Sequence, residues 1–406
     1  MAVKSTNMVT PEIRDDHHHK KNIPLRKVLA PIVISVFAVY LTIGITLGAL
    51  PTLIKNELKF DSFTVGIVMG LQFLATLLTR AYAGKLTDTL GAKISNHRGI
   101  FLVSAAGILY IAGSSFVHFP LLALGLLILS RIIHGISESM MVTGALTWGI
   151  GLVGAHNSGK VMTWNGISMY GGIALGAPLS MWMGSQFGVI APFTLILLLS
   201  VVSWLSTAKL PTLEVDPAHV RTPFYKVIAK VSDQGLALAF SSIGFACIAS
   251  FIALLFAEKS WENASLAFVC FGGFYILTRI LFASLPDKYG GYKVALVSFA
   301  IEIVGQLFIG FSHSGWMAIV GCALTGIGFS LVFPSLGVLA IKKVSHQMRG
   351  TALGAYSAFF DLSLGLAGPI AGIIAGWFGY QSIYFFGAIS GLLAILILTV
   401  RKSGHQ

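Results

Sequence analysis

The chain has 406 residues, of which 55% are hydrophobic and only 10% charged, and its formal net charge is +12. A soluble domain carries about 25% charged residues, so the composition excludes a chain that folds mainly in water. The three cysteines, Cys247, Cys270 and Cys322, all lie in apolar stretches, which excludes a disulfide framework and a cysteine-based metal site.

Residues 1–27 are polar and basic and include His17, His18 and His19. No short apolar core with a small-residue cleavage site follows, so the segment reads as a cytoplasmic tail and not as a removable signal. Twelve apolar segments come next, at 28–50, 62–83, 99–117, 119–149, 161–184, 190–208, 236–257, 264–285, 294–312, 315–341, 350–376 and 380–400. Each is long enough to cross a bilayer. Backbone groups in lipid must pair within their own segment, so the segments are predicted helices; the short alternating strands of a membrane barrel are not seen.

The first segment holds no acid, and its polar groups are Tyr40, Thr42 and Thr46. The second carries Gln72 and ends near Arg80, ahead of Gly84, Asp88, Gly91 and Lys93. In the fourth, Arg131, His134 and Glu138 stand at i, i+3 and i+7 on one helical face. Counted from Phe119 at about 1.5 Å per residue, Arg131 lies about 18 Å deep. A charge there costs at least a few kcal/mol unless it faces a cavity or a partner. Arg131 and Glu138 are about 10 Å apart along the axis, so His134, which lies between them, is a candidate bridge to Glu138 and a candidate proton relay. A satisfied structural network has the same appearance.

The fifth segment offers Trp164, Asn165 and Tyr170 as cavity candidates. It then runs through Gly172, Gly176 and Pro178, small residues that allow close helix packing and a proline that permits a bend. The polar connection 209–235 divides the chain into an N-terminal bundle, 28–208, and a C-terminal bundle, 236–400, with 401–406 as a second tail. The ninth segment carries Glu302 and Gln306, and the eleventh carries Asp361 near mid-membrane. A carboxyl set between burial and a nearby arginine can load and release a proton as a cavity opens to either side.

With the N-terminus inside, 21 Lys and Arg residues fall in the inside tails and loops, and only Lys55, Lys59 and Lys259 outside. This asymmetry predicts that both termini are cytoplasmic. It also accounts for the basic balance, since positive charge sits beside anionic inner-leaflet lipid. No clustered basic patch with aromatic readers is present, so nucleic acid is not a predicted partner.

The two halves echo each other. Leu78-Thr79-Arg80 precedes Asp88 and Gly91, and Leu277-Thr278-Arg279 precedes Asp287 and Gly290 at the same spacings. Gly159, Pro178, Phe187 and Gly188 are likewise matched by Gly350, Pro369, Phe378 and Gly379. Internal repeats of this kind mark secondary transporters, with the substrate site at the repeat interface. The fold class predicted is therefore an all-α membrane protein of twelve transmembrane helices in two pseudo-symmetric six-helix bundles.

Gly84-Lys-Leu-Thr-Asp88-Thr-Leu-Gly91-Ala-Lys93 resembles the loop signature of the major facilitator superfamily, and the resemblance covers the chain from the first helix to the twelfth. The second copy, Leu285 to Gly290, lacks the first glycine. Arg131-Ile-Ile-His134-Gly135 is similar to a motif of proton-coupled members. Gly172-Ile-Ala-Leu-Gly176-Ala-Pro178 is similar to the antiporter motif, with its proline one residue late. The resemblance implies a proton-coupled antiporter of the bacterial drug- and metabolite-efflux branch. In it Asp88 would pair with Arg80, Lys93 or Arg98 as a cytoplasmic latch, with Arg279 and Asp287 as the second copy. Glu138, Asp361, Arg131, His134 and Glu302 are the proton-coupling candidates. Tyr40, Gln72, Trp164, Asn165, Tyr170 and Gln306 are the substrate-cavity candidates. Many drug antiporters of this type carry an acid in helix one, which is absent here.

The function expected is alternating-access efflux of a small molecule by a monomer in the inner membrane, with no cofactor and no metal. Uptake or facilitated diffusion of a sugar or organic acid is the alternative on the same fold. A membrane enzyme or sensor is the alternative of another class.

Overall fold

A computed structural model describes residues 25–154, 157–213, 215, 224–344 and 349–403. The His17–His19 tail and linker residues 216–223 lie outside the described residues. Twelve long helices follow one another: α1 (Leu25–Thr52), α2 (Ser62–Leu90), α3 (Ala92–Ser115), α4 (Pro120–Val153), α5 (Ser158–Phe187), α6 (Ala191–Thr207), α7 (Phe224–Glu258), α8 (Ala264–Phe282), α9 (Gly291–Gly310), α10 (Gly315–Lys342), α11 (Arg349–Phe378) and α12 (Ser382–Ser403). A π-helical turn, Leu53–Glu57, ends α1, and a one-turn helix, Leu285–Tyr289, joins α8 to α9. Among the described residues there is no strand.

Ten of these helices are long and apolar enough to cross a membrane. The other two differ for local reasons. α6 is apolar but only 17 residues long, and α5 is long but diluted by glycine, serine, Trp164 and Asn165. α7 already begins at Phe224, inside the stretch read as linker, because its polar first turns continue the helix beyond the apolar core. There Lys343 binds Asp233 at 2.9 Å and ties the end of α10 to α7.

Successive helices run antiparallel, so Lys85, Lys93, Lys209 and Lys288 lie on the face where α1 begins. This is called the basic face below, and its opposite the far face. α1 and α7 are the most enclosed helices and stand at the centre. α3, α6, α9 and α12 lie outside and expose Phe101, Leu198, Trp204, Val297, Ile389 and Leu396. An apolar surface of this extent matches lipid and not water. Trp182, Trp316 and Trp377 are exposed near the far face, where amphipathic rings suit a membrane–water boundary.

The sequence echoes acquire a backbone reason. Gly91 and Gly290 open α3 and α9 at φ +98° and +85°, and Gly188 and Gly379 close α5 and α11 at +84° and +80°. Residues with a Cβ are strained at such angles, so both halves place glycine at the same turns. The halves meet along two main seams, α2 against α11 and α5 against α8, with α1 touching α7 between them.

Candidate functional site

Only three of the 27 basic residues fall inside the predicted apolar segments, namely Arg80, Arg131 and Arg279. Each has a different environment, and together they define the site.

Arg131 is fully buried. Its Nε donates to the Val68 carbonyl at 3.0 Å, its Nη2 to the Met69 carbonyl at 2.7 Å, and its Nη1 to Thr46 Oγ1 at 3.0 Å and to Gln72 Oε1. The arginine thus rivets α4 to α2 and α1. Gly135, one turn on, makes this reach possible: a Cβ there would stand 2.1 Å from the Gln72 carbonyl oxygen. Arg131 and Gly135 therefore act as one packing unit on a shared helical face.

Gln72 carries the connection onward. Its Nε2 donates to Glu138 Oε2 at 2.9 Å. Tyr40 donates to Glu138 Oε1 at 3.0 Å, and Thr76 Oγ1 lies 3.3 Å from Oε2. Gln72 and Tyr40 thus donate to one buried carboxyl, which is how a charge is made tolerable away from water, while the Thr76 hydroxyl beside it also lies 3.0 Å from the Gln72 and Gly135 carbonyls. The structure corrects the expected relay. His134 does not bridge to Glu138; its Nε2 pairs with Thr42 Oγ1 at 3.1 Å and its Nδ1 with the Tyr110 hydroxyl at 3.3 Å. The side chain of His134 turns toward α1 and α3, and the longer Gln72 from α2 fills the gap between Arg131 and Glu138.

Arg80 and Asp361 form an ion pair between α2 and α11, and so between the two halves. Asp361 is buried and Arg80 mostly so. Glu138 lies within electrostatic range of both. This narrows a second expectation: Arg80, one of the three cations offered as partners for Asp88, pairs instead with Asp361 across the seam. Lys93 is likewise engaged elsewhere: its Nζ donates to the carbonyls of Ala208 at 2.8 Å and Leu210 at 2.7 Å. These carbonyls follow the end of α6, where unpaired acceptors and the helix dipole favour a cation. Lys93 thus fastens α3 to the end of α6 within one half. Gly84 is buried in α2, and Asp88 lies in the last turn of that helix, just before Gly91. Arg98 lines a surface recess of about 620 Å³ with Tyr82, His97 and Phe101. Asp287 sits in the one-turn helix after α8.

Arg279, the repeat partner of Arg80, pairs with no acid among the described residues. Its Nη2 donates to the Tyr275 hydroxyl at 2.7 Å, and its guanidinium lies 5.3 Å from the Tyr275 ring centroid. Tyr275 stacks on Tyr170 of α5 at 3.9 Å. The second repeat frame relates Gly350 to Gly159, and in that frame the residue matching Asp361 is Tyr170. One seam therefore carries arginine against aspartate, and the other arginine against tyrosine. Tyr275 and Tyr356 were not singled out in the sequence, although projecting each half onto the other reaches this seam.

The remaining candidates separate from these networks. Glu302 accepts a 2.5 Å bond from Ser241 inside the second half, on α9 against α7, and its Oε1 has no hydrogen-bond partner. Gln306 is fully buried beside it and donates to Thr325 Oγ1 at 3.2 Å. Both belong to the interior of that bundle and not to the interface. Asn165 binds the sulfur of Met169, one turn along its own helix. Trp164 is 48% exposed and takes no part in the bonds above. In α5 a Cβ at Gly172 would stand 2.7 Å from Leu41 N, and one at Gly176 2.4 Å from the Leu41 carbonyl oxygen. α5 thus lies in backbone contact with α1, with Pro178 just beyond. Among the described residues no group of three or more metal-ligating side chains is found.

The sequence model of the Major Facilitator Superfamily matches residues 32–257 and 234–405. The chain belongs to this superfamily. An uncharacterized MFS-type transporter of Burkholderia mallei is 40% identical over 365 residues, covering 90% of this chain and 89% of that one. Another, from Salmonella typhimurium, is 38% identical over 387 residues, covering 95% and 98%. Among solved structures, a D-xylose-proton symporter superposes with TM-score 0.75 at 15% identity, over 92% of this chain and 96% of that one. The human organic anion transporter MFSD10 does so with TM-score 0.69 at 16% identity, over 93% and 100%. These structural likenesses establish the fold. This major facilitator is thus a multi-pass membrane transporter with two six-helix halves, and its charged seam lies where the halves meet.

Proposed function

We propose that this transporter is a proton-coupled exporter of a small molecule, working as a monomer in the inner membrane with both termini cytoplasmic. The observation that carries the reading is the Arg80–Asp361 pair, which joins the halves and has Glu138 within electrostatic range. A proton taken up by Asp361 removes the charge that holds Arg80 and weakens the attraction across the seam. Departure of the proton restores it. The pair is thus suited to couple proton uptake to the rocking of one half against the other. Glu138, with Tyr40, Gln72 and Thr76 around it, is a second acceptor on the same route. Arg131 supports Gln72 from behind, His134 holds α4 to α1 and α3, and Glu302 is a separate carboxyl in the second half.

The loop residues Gly84, Asp88, Gly91 and Lys93 brace the cytoplasmic end of the first half. Gly172, Gly176 and Pro178 keep α5 and α1 moving as one body. The distribution of lysine and arginine supports the orientation. Export is supported by the helix-four and helix-five motifs, and proton coupling is consistent with the D-xylose-proton symporter among the fold's neighbours. The membrane field contributes about 2.3 kcal/mol per charge per 100 mV, which is enough to drive accumulation.

The test is spin-label distance measurement across the α2–α11 seam, in the full chain reconstituted in lipid and with no substrate added. Acidification widens the cytoplasmic separation in the native protein, and Asp361→Asn holds it wide at every pH. A seam indifferent to pH, or an Asp361→Asn protein that still responds as the native one does, would overturn the proton reading. Direction follows from proteoliposomes: export requires that an inside-acid gradient, in right-side-out orientation, fail to drive extrusion while an outside-acid gradient drives it.

A further inference from the structure

The three arginines of the apolar segments do not have equal partners; Arg131 is fully buried, whereas Arg80 and Arg279 are partly so. Arg131 is held by two backbone carbonyls, Thr46 and Gln72, and through Gln72 it is linked to Glu138. Arg80 is neutralised by Asp361. Arg279 has neither arrangement. Its Nε is buried with no hydrogen-bond partner, and its Nη2 reaches only a phenol. The third acid of the membrane region, Glu302, faces Ser241 in the interior of the second half. A partly buried cation whose buried Nε has no hydrogen-bond partner is costly unless something neutralises it.

A simple structural role does not account for the geometry. Arg279 lies in the last turn of α8, where a cation could bind the terminal carbonyls. It instead folds back one turn to Tyr275. Tyr170 is stacked on that tyrosine from the other half, and Tyr356 of α11 lies within electrostatic range of the guanidinium. The cluster therefore gathers groups from α5, α8 and α11, spans the interface between the halves, and holds one positive charge without a counter-charge among the described residues.

We propose that Arg279, with Tyr275 and Tyr170, is the anion subsite of the transport pathway, and that the substrate is an apolar organic monocarboxylate. A guanidinium fork matches a carboxylate in bidentate fashion, and the tyrosine hydroxyls supply further donors. One unmatched cation suits one negative charge; a dicarboxylate would leave its second charge buried and unpaired. The surrounding rings, Phe245, Phe271 and Phe329, favour an apolar remainder. The subsite rests on the transporter reading for its place between the halves, but not on proton coupling.

The experiment is ligand-induced thermal shift on the purified full chain, since a ligand that binds the folded state raises its melting temperature. Benzoate, its uncharged counterpart benzamide and the dianion phthalate serve as probes. Benzoate is expected to raise the melting temperature by several degrees, phthalate less, and benzamide not at all. Arg279→Gln is expected to abolish the benzoate shift, and Arg279→Lys to weaken benzoate at least tenfold. Should Arg279→Gln not fold, Tyr275→Phe removes a single hydroxyl and is expected to weaken benzoate several-fold. Equal shifts from benzoate and benzamide, no shift from benzoate in the native protein, or a benzoate shift that survives both Arg279→Gln and Tyr275→Phe would overturn the assignment. The pH-dependent distances described above are measured without any anion, so failure of the proton reading and failure of this one are distinguishable.

Discussion

The two seams that join the halves occupy matching places in the repeat, yet they are built differently. Along α2 and α11 the contact is backbone on backbone. A Cβ at Gly66 would stand 2.1 Å from the Gly368 carbonyl oxygen, one at Gly70 2.3 Å from that of Gly365, and one at Gly372 2.4 Å from that of Ser62. Ser62 also bonds the Tyr380 hydroxyl at 3.0 Å near the far face, and the Arg80–Asp361 pair lies toward the basic face. Along α5 and α8 the contact is side chain on side chain: Gly272 faces the Ala174 methyl, and Tyr170 stacks on Tyr275. The difference teaches that a duplicated fold need not duplicate its chemistry. One seam carries a buried charge pair, proposed above as the proton-sensitive contact, and the other an arginine bonded to a tyrosine, proposed above as the anion subsite.

The largest effect is expected where one member of the buried pair is removed. Arg80→Gln leaves Asp361 without its cation, and such a loss costs about 3–5 kcal/mol. Melting of the purified protein should fall accordingly, and the double change Arg80→Gln/Asp361→Asn should recover most of the loss because no charge remains uncompensated. Arg279→Gln removes no ion pair among the described residues, so its unliganded melting temperature should move far less. Equal losses at Arg80 and Arg279 would erase the contrast between the seams.

A middle effect separates backbone contact from side-chain contact. Gly66→Ala forces the added methyl against a main-chain carbonyl, and overpacking of this kind costs about 1–3 kcal/mol. No second substitution can relieve it, because the obstacle is backbone. Gly272→Ala meets the Ala174 Cβ at 2.0 Å, so it should destabilise on its own and be rescued by Ala174→Gly. Melting of the single and double variants checks this, and a Gly272→Ala/Ala174→Gly protein no better than Gly272→Ala would show that the α5–α8 contact is also fixed by backbone.

How much of this could be read in the sequence follows from the range of each interaction. The helices were legible because hydrophobic length is local, and the turns were legible because glycine at positive φ is demanded by a single residue's own backbone. Glu138, Asp361 and Arg131 stood out because charge in an apolar run is rare. Their partners did not, because partnership is a tertiary property. Nothing along the chain relates Arg80 to Asp361, 281 positions away, or decides that His134 turns to Tyr110 while Gln72 reaches Glu138. Spacing along one helix suggested the bridge within α4, and packing supplied a longer arm from α2. Tyr275 was hidden for another reason: an aromatic residue in an apolar helix is ordinary until the fold sets it against the guanidinium of Arg279.

The smallest effects lie where α2 and α8 begin, at the far face. α2 is capped by Asp61, whose Oδ1 accepts the Thr64 N–H at 2.8 Å and the Thr64 hydroxyl at 2.6 Å. α8 follows Asn263, which has φ +65° and makes no side-chain cap bond. Asp61→Ala should cost about 1 kcal/mol. The two bonds from Thr64 hold the Asp61 carboxyl below its ordinary value of 3.8. Since the folded value is the lower one, the stabilisation is complete above the ordinary value and is lost as pH falls through the folded value. The difference between native and Asp61→Ala melting should therefore be constant from neutral pH down to about 4 and shrink only in stronger acid. At the N-cap of α8, Asn263→Gly keeps the left-handed turn and should change stability by less than about 0.5 kcal/mol at any pH. A penalty at Asn263 as large as that at Asp61 would mean that α8 is capped through a contact as strong as the one on α2, and the asymmetry of the seams would then not extend to the helix starts.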